Sequence, residues 1–273
     1  MKALAGPVLL VGSGKMGAAL LSGWLDHGLL KSDVLVVEPA DGGRDAVARL
    51  GVEAVSGPDK IPEDSAPFRA LIFAVKPQMM ADVLPAYRNI IAGGALVVSI
   101  AAGTAIARFE HMFGSETAVV RAMPNTPAAI GQGTTALIAN ARVDDRQQGL
   151  AEALMAAVGQ VHWLDDEEQM HAVTAMSGGG PAYVFLLIET LAKAGIANGV
   201  PEALAWPMAR STVIGSAALA GASEELAETL RKNVTSPGGT TQAALGVLMA
   251  EDGVQPLFDR AIRAATERSG ELA

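Results

Sequence analysis

The sequence predicts an α/β fold in two parts: an N-terminal doubly wound sheet of parallel strands, then an all-helical domain. Three observations carry this. Short apolar runs alternate with helical patterns through the first half, the order in which strands and crossover helices build a parallel sheet. From about Glu167 these give way to long apolar helical patterns. At 273 residues the chain is also long enough for two cores, with the division expected between residues 1–165 and 166–273.

The elements follow in order. Val8 to Val11 is a compact apolar run, hence a buried strand, and a glycine-rich turn leads from it into a helical pattern from Met16 to about Asp26. His27 and Gly28 end that helix, with the glycine just beyond its last turn. Val34 to Val37 makes a second strand; Arg69 to Val75 and Ala95 to Ile100 make two more, with a helix around Met79 to Tyr87 between them. Val119 to Ala122 and Thr135 to Ile138 complete the predicted sheet. The second half reads as helices over Pro181 to Ala197, Pro201 to Ala220, Glu224 to Lys232, Thr241 to Ala250 and Gln255 to Arg268, with Pro181 and Pro201 in first-turn positions. Some of these helices are apolar around most of their circumference, so they need burial on several sides. A domain of this size has little room for that within one subunit, and interlocking with a partner chain is the expected solution.

Composition narrows the partners. Hydrophobic residues make up 50% of the chain but aromatics only 4%, and mean hydropathy is +0.31. Such an apolar surplus of small and aliphatic side chains suits an obligate oligomer. A net charge of -9 with no basic tract argues against nucleic acid. With no cysteine, disulfides and thiolate chemistry are excluded, and a reducing cytoplasm fits. Two stretches imitate membrane segments. Lys2 and the apolar residues after it resemble a short signal sequence, but they run straight into glycines with no cleavage site. Asn89 to Ala107 is uncharged and long enough to span a bilayer, yet Gly93, Gly94 and Gly103 divide it into turn, strand and turn. No membrane partner is expected.

Gly12-Ser13-Gly14-Lys15-Met16-Gly17 is the first motif with chemistry, a G-x-G-x-x-G pattern of the Rossmann type. Gly12 permits a tight turn after the strand, Gly14 lets backbone approach a pyrophosphate, and Gly17 lets the helix pack on the sheet. The helix N-terminus then presents unpaired N–H groups and a partial positive charge. Glu38 ends the second strand about 20 residues on, where a carboxylate accepts from an adenosine ribose and repels a 2′-phosphate. That favours NADH over NADPH, although Arg44 lies near enough to receive a phosphate, and the other reading of Glu38 is an ordinary solvated strand end. Ala74-Val75-Lys76-Pro77 and Ser99-Ile100-Ala101 lie at the carboxyl ends of strands, where open α/β sheets bind ligands. In the strand-end loop Met123 to Pro127, Asn125 has donors and an acceptor to offer a nicotinamide carboxamide.

Two segments of the helical half stand out. Ser177 to Tyr183 places Gly178, Gly179 and Gly180 before a helix, which allows close backbone approach to a ligand or to another helix. Val234-Thr235-Ser236-Pro237-Gly238-Gly239-Thr240-Thr241 gathers hydroxyls and free N–H groups at a helix start, enough to bind a small carboxylate without an arginine. The plainer reading is an N-cap by Thr240. No metal is expected: His27, His111, His162 and His171 have no ligand spacing, and Asp165 to Glu168 reads as a solvated helix start.

Together, Gly12–Gly17, Val75–Gln78, Met123–Pro127, Ser177–Tyr183 and Val234–Thr241 resemble, in order and over nearly the whole chain, the pyrroline-5-carboxylate reductase family. The last segment resembles the family signature and is the most specific. The resemblance implies a Rossmann domain followed by a helical dimerisation domain, with homodimers that often assemble into decamers. It implies hydride transfer from NADPH or NADH to the imine of 1-pyrroline-5-carboxylate, giving proline. It places Val234, Ser236, Gly238, Gly239, Thr240 and Thr241 at the substrate, with Thr241 as the catalytic residue near the ring nitrogen. Gly179 departs from the family's usual serine, and Glu38 from its frequent preference for NADPH. Two alternatives share parts of this pattern. A β-hydroxyacid dehydrogenase resembles this layout but carries a lysine early in the helix after its glycine-rich segment, and here the first lysine is Lys193. A non-catalytic NAD(P)-binding regulator has no need of the hydroxyl-rich loop from Ser236 to Thr241.

Overall fold

A computed structural model of the chain describes residues 6–63, 65 and 67–272. The signal-like reading of Lys2 lies outside the described residues.

The chain forms two compact units: one runs to Gly178 and takes back the residues from Ala265, and the other is Gly179–Ala264. The first dividing point lies beyond the expected boundary at 165, because α7 (Gln169–Val173) and the single π-turn Thr174–Gly178 still belong to the first unit.

In the first unit, four-residue runs with no polar break become strands buried on both faces, as parallel strands covered by helices must be. β1 (Val8–Val11), β2 (Val34–Val37) and β4 (Ala70–Phe73) are buried at every position, and β5 (Leu96–Ser99) likewise. Between them lie α1 (Lys15–Asp26), α2 (Asp41–Arg49), β3 (Glu53–Val55), α3 (Met80–Val83) and α4 (Arg88–Ile91). Then come α5 (Ile106–Phe113), β6 (Val119–Met123), β7 (Gly133–Ala139), α6 (Asp145–Ala156) and β8 (Gly159–Trp163). The eight strands lie in the order β3-β2-β1-β4-β5-β6-β7-β8. The chain winds outward from β1 in one direction through β2 and β3, then returns to β4 on its other side. That reversal is the switch point where such sheets bind ligands, beyond the carboxyl ends of the strands.

Each face of the sheet carries its own core. On one, Trp24 is fully buried and donates its indole N–H to the Leu154 carbonyl at 2.8 Å, tying α1 to α6. On the other, Phe73 meets Tyr87 edge-on at 5.4 Å and Phe109 at 6.1 Å. Burial pushes the Tyr87 phenol well above its ordinary pKa, so it stays neutral.

The structure corrects the expected elements of this unit in three ways. β7 runs antiparallel to β6. The link from 124 to 132 is too short for the crossover that a parallel pair requires. β3 and β8 are additional strands; β3 has only three residues, and β8 alternates half-exposed with exposed positions, so neither forms a continuous apolar run. The single helix expected over Met79 to Tyr87 is broken into short α and 3-10 pieces, with Pro85 at the start of one of them.

The second unit comprises α8 (Gly180–Ala197), α9 (Glu202–Ala222), α10 (Ala227–Asn233), α11 (Thr240–Leu248) and most of α12 (Val254–Glu271). Pro181 sits in the first turn of α8 as expected, Pro201 is the N-cap of α9, and Pro207 lies inside α9. The only hydrophobic side chains this unit buries are Ala192, Ala205 and Ala209, while Phe185, Leu186, Leu187 and Leu219 stand more than half exposed.

Candidate active site

The nucleotide cradle is assembled by strand register. Val11 pairs level with Val37 on one side and Phe73 on the other, so Gly12, Glu38 and Ala74 emerge side by side. The three motif glycines each meet a separate constraint. Gly12 has φ +95°, left-handed backbone that side chains rarely adopt, and a Cβ there would stand 3.0 Å from the Ala74 carbonyl oxygen. At Gly17 a Cβ would fall 2.3 Å from the Gly12 carbonyl oxygen, so only glycine lets α1 pack this closely. At Gly14, the N-cap of α1, a Cβ would meet nothing within 4 Å, so this face of the turn is open to a ligand. No side chain caps α1 and no acid sits in its first turn. Its leading N–H groups lack intrahelical acceptors and suit a diphosphate. The residues present therefore fit a dinucleotide.

Beside this turn lies a cleft of about 230 Å³, walled by Val11, Val37, Pro39, Pro58, Val75 and Tyr87 among others. Its mostly apolar lining suits an adenine ring. Lys76 is exposed at the end of the β4 loop, and Pro77 begins the 3-10 turn after it. Ala101 is buried and donates its N–H to the Ser99 hydroxyl at 3.3 Å.

Ser13 and Asn125 are both engaged by neighbours within the first unit. Both donors of Ser13, the backbone N–H and the hydroxyl, go to Glu38 Oε2 at 2.9 Å. Asn125 donates from Nδ2 to the Ser177 carbonyl at 3.2 Å and accepts at Oδ1 from the Thr134 N–H at 2.8 Å. Its amide holds the loop against the start of the triple-glycine segment and keeps donor and acceptor capacity for a ligand.

Glu167 was missed as a structural residue. It is not part of a solvated helix start: its Oε1 accepts from the Arg121 guanidinium at 2.8 Å and from the Ile106 N–H at 2.9 Å, with Arg121 only 3% exposed. A charged residue in the apolar run of β6 was the available signal, since such a charge demands a partner. Among the described residues no cluster of three or more His, Asp or Glu is placed to hold a metal ion.

In the helical unit, the segment from Val234 to Thr241 ends in the first turn of α11. The N-cap is Gly239, not Thr240, and no side chain caps it. The Thr240, Thr241 and Gln242 N–H groups, as first-turn donors, have no intrahelical acceptor. Gly238, at φ +72°, turns its N–H back onto the Gln242 side-chain oxygen at 2.6 Å. Thr235 anchors the loop through its hydroxyl to the Arg231 carbonyl, also at 2.6 Å. Val234, Ser236, Thr240 and Thr241 are all exposed. The result is a braced turn with free donors and two threonine hydroxyls, suited to a small anion.

Comparison with known proteins gives this arrangement a context. Residues 167–272 match the family description "pyrroline-5-carboxylate reductase dimerisation", and residues 7–103 match "NADP oxidoreductase coenzyme F420-dependent". The chain is 39% identical to a pyrroline-5-carboxylate reductase of Pseudomonas aeruginosa over 97% of its length and 96% of the relative's. It is 40% identical to one from Synechocystis, with 96% and 97% covered. A solved pyrroline-5-carboxylate reductase from Coxiella burnetii superposes with a TM-score of 0.92 at 33% identity, covering 98% of both chains. The Plasmodium falciparum pyrroline carboxylate reductase, solved with NADP bound, gives 0.80 at 28% identity, with 97% of both covered.

Proposed function

The chain belongs to the pyrroline-5-carboxylate reductase family, and from that premise we propose that it reduces 1-pyrroline-5-carboxylate to L-proline, the last step of proline biosynthesis. The observation that carries the reading is the braced turn from Ser236 to Thr241, which stands in the segment of the chain most like the family signature.

NADH or NADPH supplies the hydride. Gly12, Gly14, Lys15, Met16, Gly17 and the N-terminus of α1 hold the diphosphate. Ala74, Val75, Lys76, Pro77 and Ala101 border the rest of the cofactor, while Ser13 and Asn125 act as positioning residues. The substrate carboxylate is held by the N–H groups of Thr240 and Thr241, with Gly238 and Gly239 shaping the turn that presents them. Val234 and Ser236 line the ring. The bound cofactor would supply hydride to the imine carbon, so that C=N becomes CH–NH, with the nitrogen's proton coming from solvent. The Thr241 hydroxyl orients that nitrogen. An oriented imine, desolvated beside its hydride donor, needs no strong general acid.

In this reading residues 1–165 form the dinucleotide-binding domain and 166–273 the substrate and dimerisation domain. The helices pair with those of a second copy, and the dimers associate further, up to decamers. Residues 169–197 make a helical stretch long and apolar enough to cross a membrane, and little of it is buried within one chain. Because the dimerisation match covers this stretch, we assign its cover to the partner copy rather than to lipid. The enzyme then acts in the cytoplasm without nucleic-acid or membrane partners.

The test is oxidation of NADH and of NADPH, followed at the nicotinamide absorbance, with 1-pyrroline-5-carboxylate as substrate. Rapid turnover with either is the expected result. Protein that binds cofactor but turns over no pyrroline-5-carboxylate would sink the assignment.

A further inference from the structure

We propose that Glu38 makes this enzyme select NADH over NADPH, by accepting a hydrogen bond from the 2′-hydroxyl of the adenosine ribose and repelling a 2′-phosphate. The inference rests on the dinucleotide-binding part of the reading above and is independent of the imine substrate.

The first ground is that the carboxylate is already fixed. Its Oε2 accepts from the N–H and the hydroxyl of Ser13, both at 2.9 Å, and its Oε1 from the Ala40 N–H at 3.0 Å. A Cβ at residue 43 would stand 2.6 Å from Glu38 Cγ, so Gly43 is what leaves room for the side chain to lie this way. A carboxylate has about four lone-pair sites, and three are taken. The remaining one serves a hydroxyl donor, whereas a 2′-phosphate is mostly a dianion at neutral pH and is repelled.

The second ground is the state of the nearest cation. A guanidinium that reads a 2′-phosphate must present a free fork of donors. Arg44 does not: its Nη1 donates to the Glu38 carbonyl at 2.9 Å and to the Pro39 carbonyl at 2.6 Å, and its Nη2 is paired with the Asp41 carboxylate. Arg44 therefore pins the backbone that carries Glu38, and Asp41 offsets its charge. Taken together, Glu38, Asp41 and Arg44 leave the ribose end of the cradle negative by one charge. Asp82 on the rim of the neighbouring cleft adds another.

The third ground is protonation. Burial raises the Glu38 pKa, but the hydrogen bonds from the Ser13 N–H, the Ala40 N–H and the Ser13 hydroxyl, with the Arg44 charge, outweigh it and leave the group below its ordinary value. The carboxylate is charged at any physiological pH. The apolar cleft bordered by Gly12 and Pro39 is the place for the adenine, which sets the attached ribose beside Glu38.

The experiment is calorimetric titration of the intact oligomer, without imine, using NADH, NADPH, 5′-AMP and adenosine 2′,5′-bisphosphate. NADH is expected to bind at least tenfold tighter than NADPH, and 5′-AMP tighter than the bisphosphate. In Glu38→Gln, which keeps the shape and removes the charge, NADPH affinity is expected to rise severalfold while NADH affinity falls or holds, so the ratio collapses. Equal or tighter NADPH binding by the wild type would overturn the proposal, as would an unchanged ratio in Glu38→Gln. If that substitution weakens both cofactors together because the Ser13 anchor is lost, the 5′-AMP to bisphosphate ratio decides: a fall supports the charge argument and a constant ratio overturns it. Tight NADH binding without imine turnover would remove the proposed reaction and leave this inference standing.

Discussion

The two units of this chain meet the demand for burial in opposite ways. The sheet unit satisfies it internally: β1, β2, β4 and β5 are buried at every position, and Trp24, Phe73 and Phe109 are fully enclosed. The helical unit hides three alanines and leaves Phe185, Leu186, Leu187 and Leu219 in the open. The difference teaches where stability resides. A sheet covered on both faces owns its core, whereas apolar helices without a sheet must find their cover in another copy, so their stability depends on protein concentration. The match of residues 167–272 to a dimerisation family agrees with this contrast.

Four variants break or sharpen it. The largest effect is expected from Phe185→Glu combined with Leu187→Glu, which would bury two unpaired charges in the subunit interface. Sedimentation should show loss of the oligomer and assays a loss of activity beyond a hundredfold; a fully assembled double variant would refute the contrast. Next is Glu167→Ala, which strands the guanidinium of Arg121 inside the sheet unit. Removing one partner of a buried pair costs about 3–5 kcal/mol. The loss should appear as a lowered denaturation midpoint that does not vary with protein concentration. Thr241→Ala should lower kcat on the order of a hundredfold, about 2.7 kcal/mol, while NADH affinity in a substrate-free titration stays constant. Unaltered kcat would remove Thr241 from the mechanism. The smallest effect is expected from Trp24→Phe, which deletes the indole donor to the Leu154 carbonyl and leaves that oxygen without it. About 1–2 kcal/mol of unfolding free energy should be lost with activity intact, measured by urea titration.

Much of the cradle was legible because its constraints are local. A positive φ at Gly12, an overlap with backbone at Gly17 and an open face at Gly14 follow from a strand that turns directly into a helix, which six consecutive residues are enough to specify. Glu38 was legible only in part. Its place at the end of β2 could be read from the chain, but its bonds to Ser13 and the engagement of Arg44 by Asp41 required neighbours in space. The reverse holds for α6: Asp144 and Gln147 form a reciprocal capping box, a local signal that was present in the sequence and was overlooked.

What the sequence determined by itself was therefore the class of fold, the buried strands and the glycine turn, because strand burial and backbone freedom depend on residues adjacent in the chain. The tertiary structure alone decided the pairing of Arg121 with Glu167 and the locked geometry of Glu38. Those depend on which distant groups meet, and a long-range hydrogen bond leaves no periodicity in the sequence from which to read its partner.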